Sequence, residues 1–314
     1  MKRPELLAPI AACLVNGAAH RQIARIVGCA PSTVTRQSAR IGRHGLLLLV
    51  LALEHLDQDD EDVVFDHAES FEGSQHDPFA IATLTGSRSW FWYGVDGSRH
   101  ARTGRRSTFQ EARRVLRPPR DALGGYLESA KRLLETRVRF AAQTLTFRVI
   151  CDDKHDYRIA VHSSELLRNK VRLVVYPNPV RGPKGAPRTG VARERDAAMF
   201  SNDLLHALMR HGLAHHHRET IAFHRRINGA MERYFLMAAW RNFVKKRSER
   251  RPEKITPAML KRLTTTAWTW QRVFARRLFP DRLPVPASWQ AIYRRDWITP
   301  SLRSNTRHAL RLAY

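Results

Sequence analysis

Hydrophobic residues near the amino terminus recur at a helical period. Leu6, Ile10 and Leu14 are spaced by four residues, and Gly17 ends this segment. A second short helix is predicted over residues 19–27. A third begins at Ser32, after a turn that contains glycine and proline. Two helices joined by a glycine-containing turn predict a helix-turn-helix over residues 1–45, and a plain three-helix bundle is the alternative.

The third helix has a polar face that suits DNA. Val34 is expected to face the first two helices, whereas the neighbouring hydroxyl and guanidinium groups face outward. In a helix-turn-helix protein this outward face lies in the major groove. The predicted DNA contacts are Ser32, Thr33, Thr35, Arg36 and Arg40.

After an acidic run at residues 57–62, which predicts a solvated boundary, short apolar runs alternate with helical periods. Strands are predicted over residues 63–67, 79–85, 89–95, 147–151 and 171–176. The first three form an antiparallel meander, and the turn Asp96-Gly97 ends the third. Helices are predicted over residues 46–56, 108–116, 120–143 and 156–167, and from residue 197 nearly to 278.

This order of elements predicts an α/β fold with a mixed five-stranded sheet and flanking helices. By analogy of topology, it is the order of the ribonuclease H-like fold. Glycine, proline and arginine at residues 178–195 predict a mobile basic loop. The predicted domains are an all-α helix-turn-helix at 1–45, a helical and acidic linker at 46–61, an α/β domain at 62–250 and a basic helical extension at 251–314.

The charge balance points to a polyanionic partner. The 314 residues include 54 Lys+Arg and 29 Asp+Glu, which gives a net charge of +25 spread along the chain.

Three cysteines are too few and too far apart for a disulfide framework or a zinc cluster. The longest apolar run, residues 46–53, is too short to cross a bilayer, and no secretory signal is present. We therefore expect a cytoplasmic protein that binds double-stranded DNA and no membrane.

Three carboxylates occupy comparable places in the predicted fold. Asp66 closes the first strand, Asp152 closes the fourth, and Glu219 lies on the helix after the fifth. Acids that converge from two strands and a helix can hold two Mg²⁺ ions for phosphoryl transfer, with Mn²⁺ as a substitute. Each acid alone is equally well explained as a cap or a surface ion pair, and Asp153 is an alternative to Asp152.

Basic residues surround Glu219. Arg218, Arg225 and Arg226 would neutralise DNA phosphates, although solvated helix charge explains them as well. His215 is four residues before Glu219, so a zinc site on one helix face is conceivable, but a third ligand is not evident. The histidines at 215–217 are therefore expected to contact phosphate or to line the groove beside the metals.

Three segments resemble a known family. Residues 217–233, with Arg-Glu-Thr before an Asn and a Met-Glu-Arg, together with Trp-Arg-Asn-Phe at 240–243, resemble the carboxy-terminal signature of bacterial insertion-sequence transposases of the DDE class. Residues 64–71 are similar to the first-acid segment of that class. Residues 150–157 are similar to the second, in which a tyrosine follows the aspartate by five residues, and this spacing selects Asp152 over Asp153.

The resemblance implies a ribonuclease H-like catalytic domain, Mg²⁺ dependence and recognition of terminal repeats by the helix-turn-helix. It implies an enzyme that cleaves and joins phosphodiester bonds at the ends of an insertion sequence and acts as a homo-oligomer on element and target DNA, at the bacterial nucleoid. A non-catalytic helix-turn-helix regulator derived from a transposase is one alternative. A related nuclease without strand transfer is another.

Overall fold

The chain begins with three helices, as the hydrophobic spacing predicts. The computed structural model describes residues 3–73, 77–100, 107–115, 124–179, 182–183, 185–217, 222–250 and 252–299, without the side chains of 113–115. A 3-10 turn at Pro4–Leu6 precedes α1 (Leu7–Val15), α2 (His20–Ile26) and α3 (Pro31–Glu54). Ile10, Ile23 and Val34 are fully buried in the core that these helices share.

The third helix is longer than the pattern indicates. The helix predicted over 46–56 is confirmed up to Glu54, but it is the second half of α3, which runs without a break from Pro31 and crosses the boundary drawn at residue 45. Its first half packs in the core of the amino-terminal helices through Val34 and Ile41. Its second half packs in the main core through residues 46–53. One rigid helix therefore connects the two cores.

The sheet has five strands, β1 (Val63–Phe71), β2 (Pro78–Gly86), β3 (Trp92–Arg99), β4 (Phe147–Asp152) and β5 (Val171–Tyr176). Their order is β3-β2-β1-β4-β5. β2 pairs antiparallel with β1 and β3, whereas β4 pairs parallel with β1 and β5. The predicted fold class, α/β with a mixed five-stranded sheet and flanking helices, is confirmed, and this strand order is compatible with a ribonuclease H-like fold.

The third strand lies further along the chain than predicted. Asp96 and Gly97 are buried inside β3 and form no turn. Asp96 accepts hydrogen bonds from Arg132, whose Nη2 lies 2.7 Å from Asp96 Oδ1. A side chain at Gly97 would come within 3.1 Å of Met231 and Trp297. Here aspartate and glycine serve packing and an ion pair, which is why the turn prediction was wrong.

Helices cover the sheet between and after its strands. They are α4 (Thr108–Val115), α5 (Gly125–Arg139), α6 (His155–His162), α7 (Glu165–Lys170), α8 (Gly190–Ala198), α9 (Phe200–Gly212) and α10 (Ile227–Ala239). A 3-10 turn at Ala214–His216 follows α9, and a π-helical turn at Trp240–Val244 follows α10. Helix α8 begins inside the segment that was predicted to be a mobile loop.

The carboxy-terminal part is less helical than predicted. Its helices α11 (Pro257–Leu260), α12 (Trp270–Phe274) and α13 (Ala287–Arg294) are short, with a 3-10 turn at Pro280–Arg282. Trp289 and Ile292 of α13 are nevertheless fully buried in the main core. Of the helices that are described, none has the length and apolar character needed to cross a membrane.

The acidic run at residues 57–62 is not simply the solvated boundary that was predicted. Glu61 is buried and Asp59 is half-buried, and both carboxylates contact Lys261 Nζ, at 2.5 Å and 2.6 Å. The Tyr93 hydroxyl donates to Asp59. Burial raises the pKa of each acid, but hydrogen bonds and the charge of Lys261 more than offset this, and both pKa values lie below their usual range. The run therefore attaches the carboxy-terminal part to the sheet.

Candidate active site

Two of the three predicted acids lie side by side in the sheet. The parallel pairing of β1 with β4 joins Val63 to Val149 and Val64 to Ile150. Asp66 and Asp152 follow Val64 and Ile150 by two residues each, so they lie on the same face of the sheet as that pair. The charge of Asp152 is one cause of a raised pKa at Asp66, which shows that the carboxylates interact. Adjacent parallel strands thus bring together two acids that are 86 residues apart in the sequence.

Asp66 was expected at the end of its strand, and this was wrong. β1 continues to Phe71, and Asp66 pairs with Thr83 of β2. The pairing of β1 with β4 is what ends, two residues before Asp66. Asp152 does end its strand, opposite Tyr176 of β5. Both acids therefore lie just past the point where the pairing of β1 with β4 ends.

The pKa of Asp66 lies close to physiological pH, so this carboxyl group is only partly ionised there. Burial and then the charge of Asp152 raise its pKa to about 7, although His67 N donates to Asp66 Oδ1 at 2.7 Å. Burial also raises the pKa of Asp152, against a hydrogen bond from Asn178. Two carboxylates in one partly buried place repel each other, so a bound cation would stabilise the ionised pair.

Asp152 has one oxygen that is fixed and one that has no partner. Asn178 Nδ2 donates to Asp152 Oδ2 at 2.7 Å. Asn178 Oδ1 in turn accepts from Arg195 Nε at 3.1 Å. Asp152 Oδ1 is buried and makes no hydrogen bond to any described residue. A buried carboxylate oxygen without a partner is costly, and it suits a bound cation.

His206 of α9 lies against Asp66, with Nδ1 3.7 Å from Asp66 Oδ2. Burial and the charge of Arg210 lower the pKa of His206 to about 3, so the ring is neutral and this contact is not an ion pair. Thr83 Oγ1 donates to Asp66 O at 3.0 Å and lies 2.8 Å from His206 Nε2. Nε2 therefore carries the ring proton, and Nδ1 turns a lone pair toward Asp66, where a cation or a shared proton would be stabilised.

A groove of about 750 Å³ opens beside Asp66. One wall consists of Asp66 with Asp203 and His206 of α9. The other wall is formed by the segment between Asn178 and Asp196, the part that was predicted to be a mobile basic loop. Arg188, Arg195 and Arg210 also line the groove, and the first two pair with Asp196 and Asp203. Its surface thus presents both carboxylates and guanidinium groups to a ligand.

Sequence reasoning missed Asn178, Arg195, Asp203 and His206. Asp203 and His206 are three residues apart in α9, a spacing that places both on one helix face, so a periodicity search for polar pairs could have found them. Asn178 follows the fifth strand by two residues and offered only that position as a signal. Arg195 could not be assigned, because its role depends on the folded segment that approaches the strand ends.

The remaining predicted residues lie elsewhere or outside the described part. Glu219 and Arg218 are outside the described residues, whereas Arg225 and Arg226 are exposed just before α10. Asp153 is exposed and pairs with Arg158 at 2.7 Å, away from the acid pair. Among the described residues, no group of three or more histidine, cysteine, aspartate or glutamate side chains is arranged to hold a metal.

The predicted DNA contacts of α3 are accessible. Ser32, Thr35, Arg36 and Arg40 are exposed, and Thr33 is half-buried. Thr35 already makes a contact inside the protein, because its Oγ1 lies 3.0 Å from His20 Nδ1.

The histidines near residue 219 do not line the groove, which corrects the prediction. His215 and His216 are buried, and the ring of His215 lies 3.6 Å from that of His224. Arg233 donates to His215 Nδ1 at 2.7 Å and to His20 Nε2 at 2.9 Å. Burial lowers the pKa of each of these histidines, so they are neutral packing groups that connect α2 to α10.

Comparison with known proteins adds no family assignment, since no protein-family model matches the sequence and a search of curated proteins found no significant match.

Proposed function

We propose that this protein is a DNA transposase of the DDE class, which cleaves and joins phosphodiester bonds at the ends of an insertion sequence. The observation that carries the proposal is the Asp66–Asp152 pair, which lies just past the parallel pairing of β1 with β4, with Asp66 lining a groove that also contains arginines. The net charge of +25 supports a nucleic-acid substrate. The resemblance of three separate segments to DDE transposases, two of which contain these acids, supports the same reaction.

Glu219 is the proposed third acid, and the described residues on both sides of its segment contact elements that carry the site. His216 lies close enough to His206, the neighbour of Asp66, to affect the pKa of His206. Glu219 follows His216 by three residues, which span at most about 10 Å of extended chain. On the other side, Gly73 N donates to His224 O at 2.6 Å, just past the end of the strand that carries Asp66. These contacts support Glu219 as the third acid.

The acid pair fits Mg²⁺ by its own chemistry. Hard oxygen ligands, a carboxylate oxygen without a partner and a pKa raised by a like charge are features of a site that gains from a divalent cation. Asp66, Asp152 and Glu219 would hold the metal. Bound Mg²⁺ would supply activation of the attacking oxygen and neutralisation of charge on the leaving oxygen.

The other groove residues act on the substrate and on the acids. Arg188, Arg195 and Arg210 offer guanidinium groups to the phosphates of the DNA strand. Asn178 fixes the orientation of the Asp152 carboxylate, and Arg195 fixes Asn178.

The test is cleavage of linear duplex DNA that carries the coding sequence with its natural flanks, in the presence of Mg²⁺. Wild type is compared with Asp66→Asn, Asp152→Asn and Glu219→Gln, and with Asp153→Asn as the matched control. We expect the first three variants to lose cleavage by about a thousandfold, since charge stabilisation of several kcal/mol is removed. Asp153→Asn should cut like wild type.

Each outcome decides one part of the proposal. If wild type binds this DNA without cutting it, the enzyme hypothesis is wrong and a DNA-binding regulator is favoured. If Asp66→Asn cuts as fast as wild type, the assignment of Asp66 to the catalytic site is wrong. If the cut ends do not join a target plasmid, the protein is a nuclease without strand transfer.

A further inference from the structure

Five arginines between residues 262 and 282 are exposed to solvent. They are Arg262, Arg272, Arg276, Arg277 and Arg282, here called the carboxy-terminal arginine surface. Within the ranges that the structure describes, they form no ion pair, and Asp281 is the sole acid of this stretch. Two of them, Arg277 and Arg282, instead lie against the ring of Phe279, at 4.8 Å and 5.1 Å from its centre. The surface therefore keeps its positive charge.

This surface is attached to the amino-terminal helices. Trp270 and Phe274 of α12 pack against the core formed by α1, α2 and α3. His44 of α3 contacts Val273 O at 2.8 Å through Nε2. The ring of His44 also lies 5.5 Å from that of Phe274. These contacts fix α12, which carries Arg272, beside the helix that was predicted to read DNA.

The same side of α3 carries both the contact with α12 and the exposed arginines. Arg36, Arg40 and His44 follow one another at intervals of four residues, which places them along one side of the helix, about 6 Å apart along its axis. Arg36 and Arg40 are exposed. Arg40 is thus one turn from the residue that contacts Val273. Helix α12, which carries Arg272, therefore lies against the side of α3 that carries Arg36 and Arg40.

We infer that the carboxy-terminal arginine surface binds the phosphate backbone of double-stranded DNA, next to the stretch that α3 contacts. The inference rests on the proposed DNA binding by the amino-terminal helices and adds a second contact region to it. Arginine is the residue best suited to phosphate oxygens, because its guanidinium donates two hydrogen bonds at once. A second copy of the chain would meet this surface with a net charge of +25, so duplex DNA is the complementary partner.

The test is the salt dependence of DNA binding by the intact protein. A fluorescent duplex of mixed sequence and about 30 base pairs is titrated between roughly 0.05 and 0.3 M NaCl. Wild type is compared with the triple variant Arg272→Gln, Arg276→Gln, Arg277→Gln. The matched control is Arg139→Gln, Arg168→Gln, Arg172→Gln, which removes equal charge from exposed positions on α5, α7 and β5. The melting temperature of each variant shows that it is folded.

Loss of three phosphate contacts should reduce the slope of log binding constant against log salt concentration by about 2.7. It should also weaken binding by at least about tenfold near 0.1 M NaCl. We expect this loss in the carboxy-terminal variant alone. Equal losses in the control would mean that net charge is responsible and would overturn the inference. A wild-type slope in the carboxy-terminal variant, with binding weakened by Arg36→Gln, Arg40→Gln, would overturn it while the helix-turn-helix hypothesis survives. Wild type that binds no duplex at low salt would contradict both.

Discussion

At the scale of single residues, the candidate site depends on how Asp152 is held. Asn178 donates to one carboxylate oxygen, and Arg195 holds Asn178 in place. This chain of contacts leaves the other oxygen of Asp152 for a cation. Asn178 touches no reacting atom in this arrangement, so it is a positioning residue.

Replacement of Asn178 by alanine should weaken metal-dependent cleavage. A hydrogen bond to a charged group contributes about 1.5–3 kcal/mol, so we expect the half-saturating Mg²⁺ concentration to rise by about tenfold. The measurement is the rate of DNA cleavage as a function of Mg²⁺ concentration. Asn169→Ala, at an exposed position of α7, is the control and should leave this profile unchanged. A wild-type Mg²⁺ profile in Asn178→Ala would show that Asn178 does not position Asp152.

Residues of the candidate site differ in how much of them the sequence predicts. Asp66 and Asp152 were recognisable because each follows a buried apolar run, and the parallel pairing of these strands does bring them together. Asp203 and His206 belong to a helix 51 residues after Asp152, and nothing local to α9 specifies which strand it faces. Contacts of this kind depend on tertiary packing and not on the period of the pattern.

At the scale of elements, the close approach of α3 and α10 fixes the amino-terminal helices against the sheet. Gly42 and Gly45 of α3 face the backbone of α10, where an added Cβ would lie 2.3 Å from Glu232 O and 2.6 Å from Phe235 O. Glycine is needed at both positions because the helix backbones touch there.

Gly42→Ala should destabilise the protein, whereas Gly229→Ala should not. The added methyl group at residue 42 forces the helices apart, at a cost of about 1–3 kcal/mol or more, as in overpacked cores. Gly229 is also helical, but nothing lies within 4 Å of its Cβ position, so alanine there should stabilise α10 by about 0.5–1 kcal/mol. Urea unfolding of the intact chain measures both. Equal stability of the two variants would contradict the proposed helix contact.

Helices and strands were predicted well where their own hydrophobic pattern defines them. They were predicted poorly where a segment distant in the sequence contacts them. β5 was predicted with its observed ends because six apolar and polar residues follow a strand pattern between clear breaks. The acidic run before β1 was misread, since the cation that neutralises Asp59 and Glu61 is Lys261, about 200 residues later. Helix α3 continues through the boundary predicted at residue 45, where Gly45 contacts the backbone of α10.

At the scale of the whole molecule, the carboxy-terminal part is bound to the rest by several polar contacts. Arg295 pairs with the buried carboxylate of Glu232 at 2.8 Å. Asn228 donates to Trp297 O at 2.6 Å, and Arg99 donates to Ile298 O at the same distance. Residues 252–299 are therefore a structural part of the fold and not an appendage.

Lys261 makes the most consequential of these contacts, because it neutralises two acids at once. Lys261→Met keeps most of the aliphatic volume but leaves Asp59 and Glu61 without this cation, and we expect it to cost about 3–5 kcal/mol of the free energy of unfolding. Lys254→Met, at an exposed position with no ion pair in the part that is described, is the matched control and should change stability little.

The dependence of this loss on pH separates charge from packing. In wild type, the pKa values of Asp59 and Glu61 lie below their ordinary values of 3.8 and 4.5. Their stabilising contribution is therefore present above pH 4.5 and is lost as the pH falls through the lowered values. Without Lys261, burial favours the protonated acids, so the deficit of Lys261→Met should be full at pH 7 and shrink toward pH 4. Urea unfolding of wild type and Lys261→Met at pH 7 and at pH 4 measures this deficit. An equal deficit at the two pH values would mean that Lys261 contributes through packing and not through its charge.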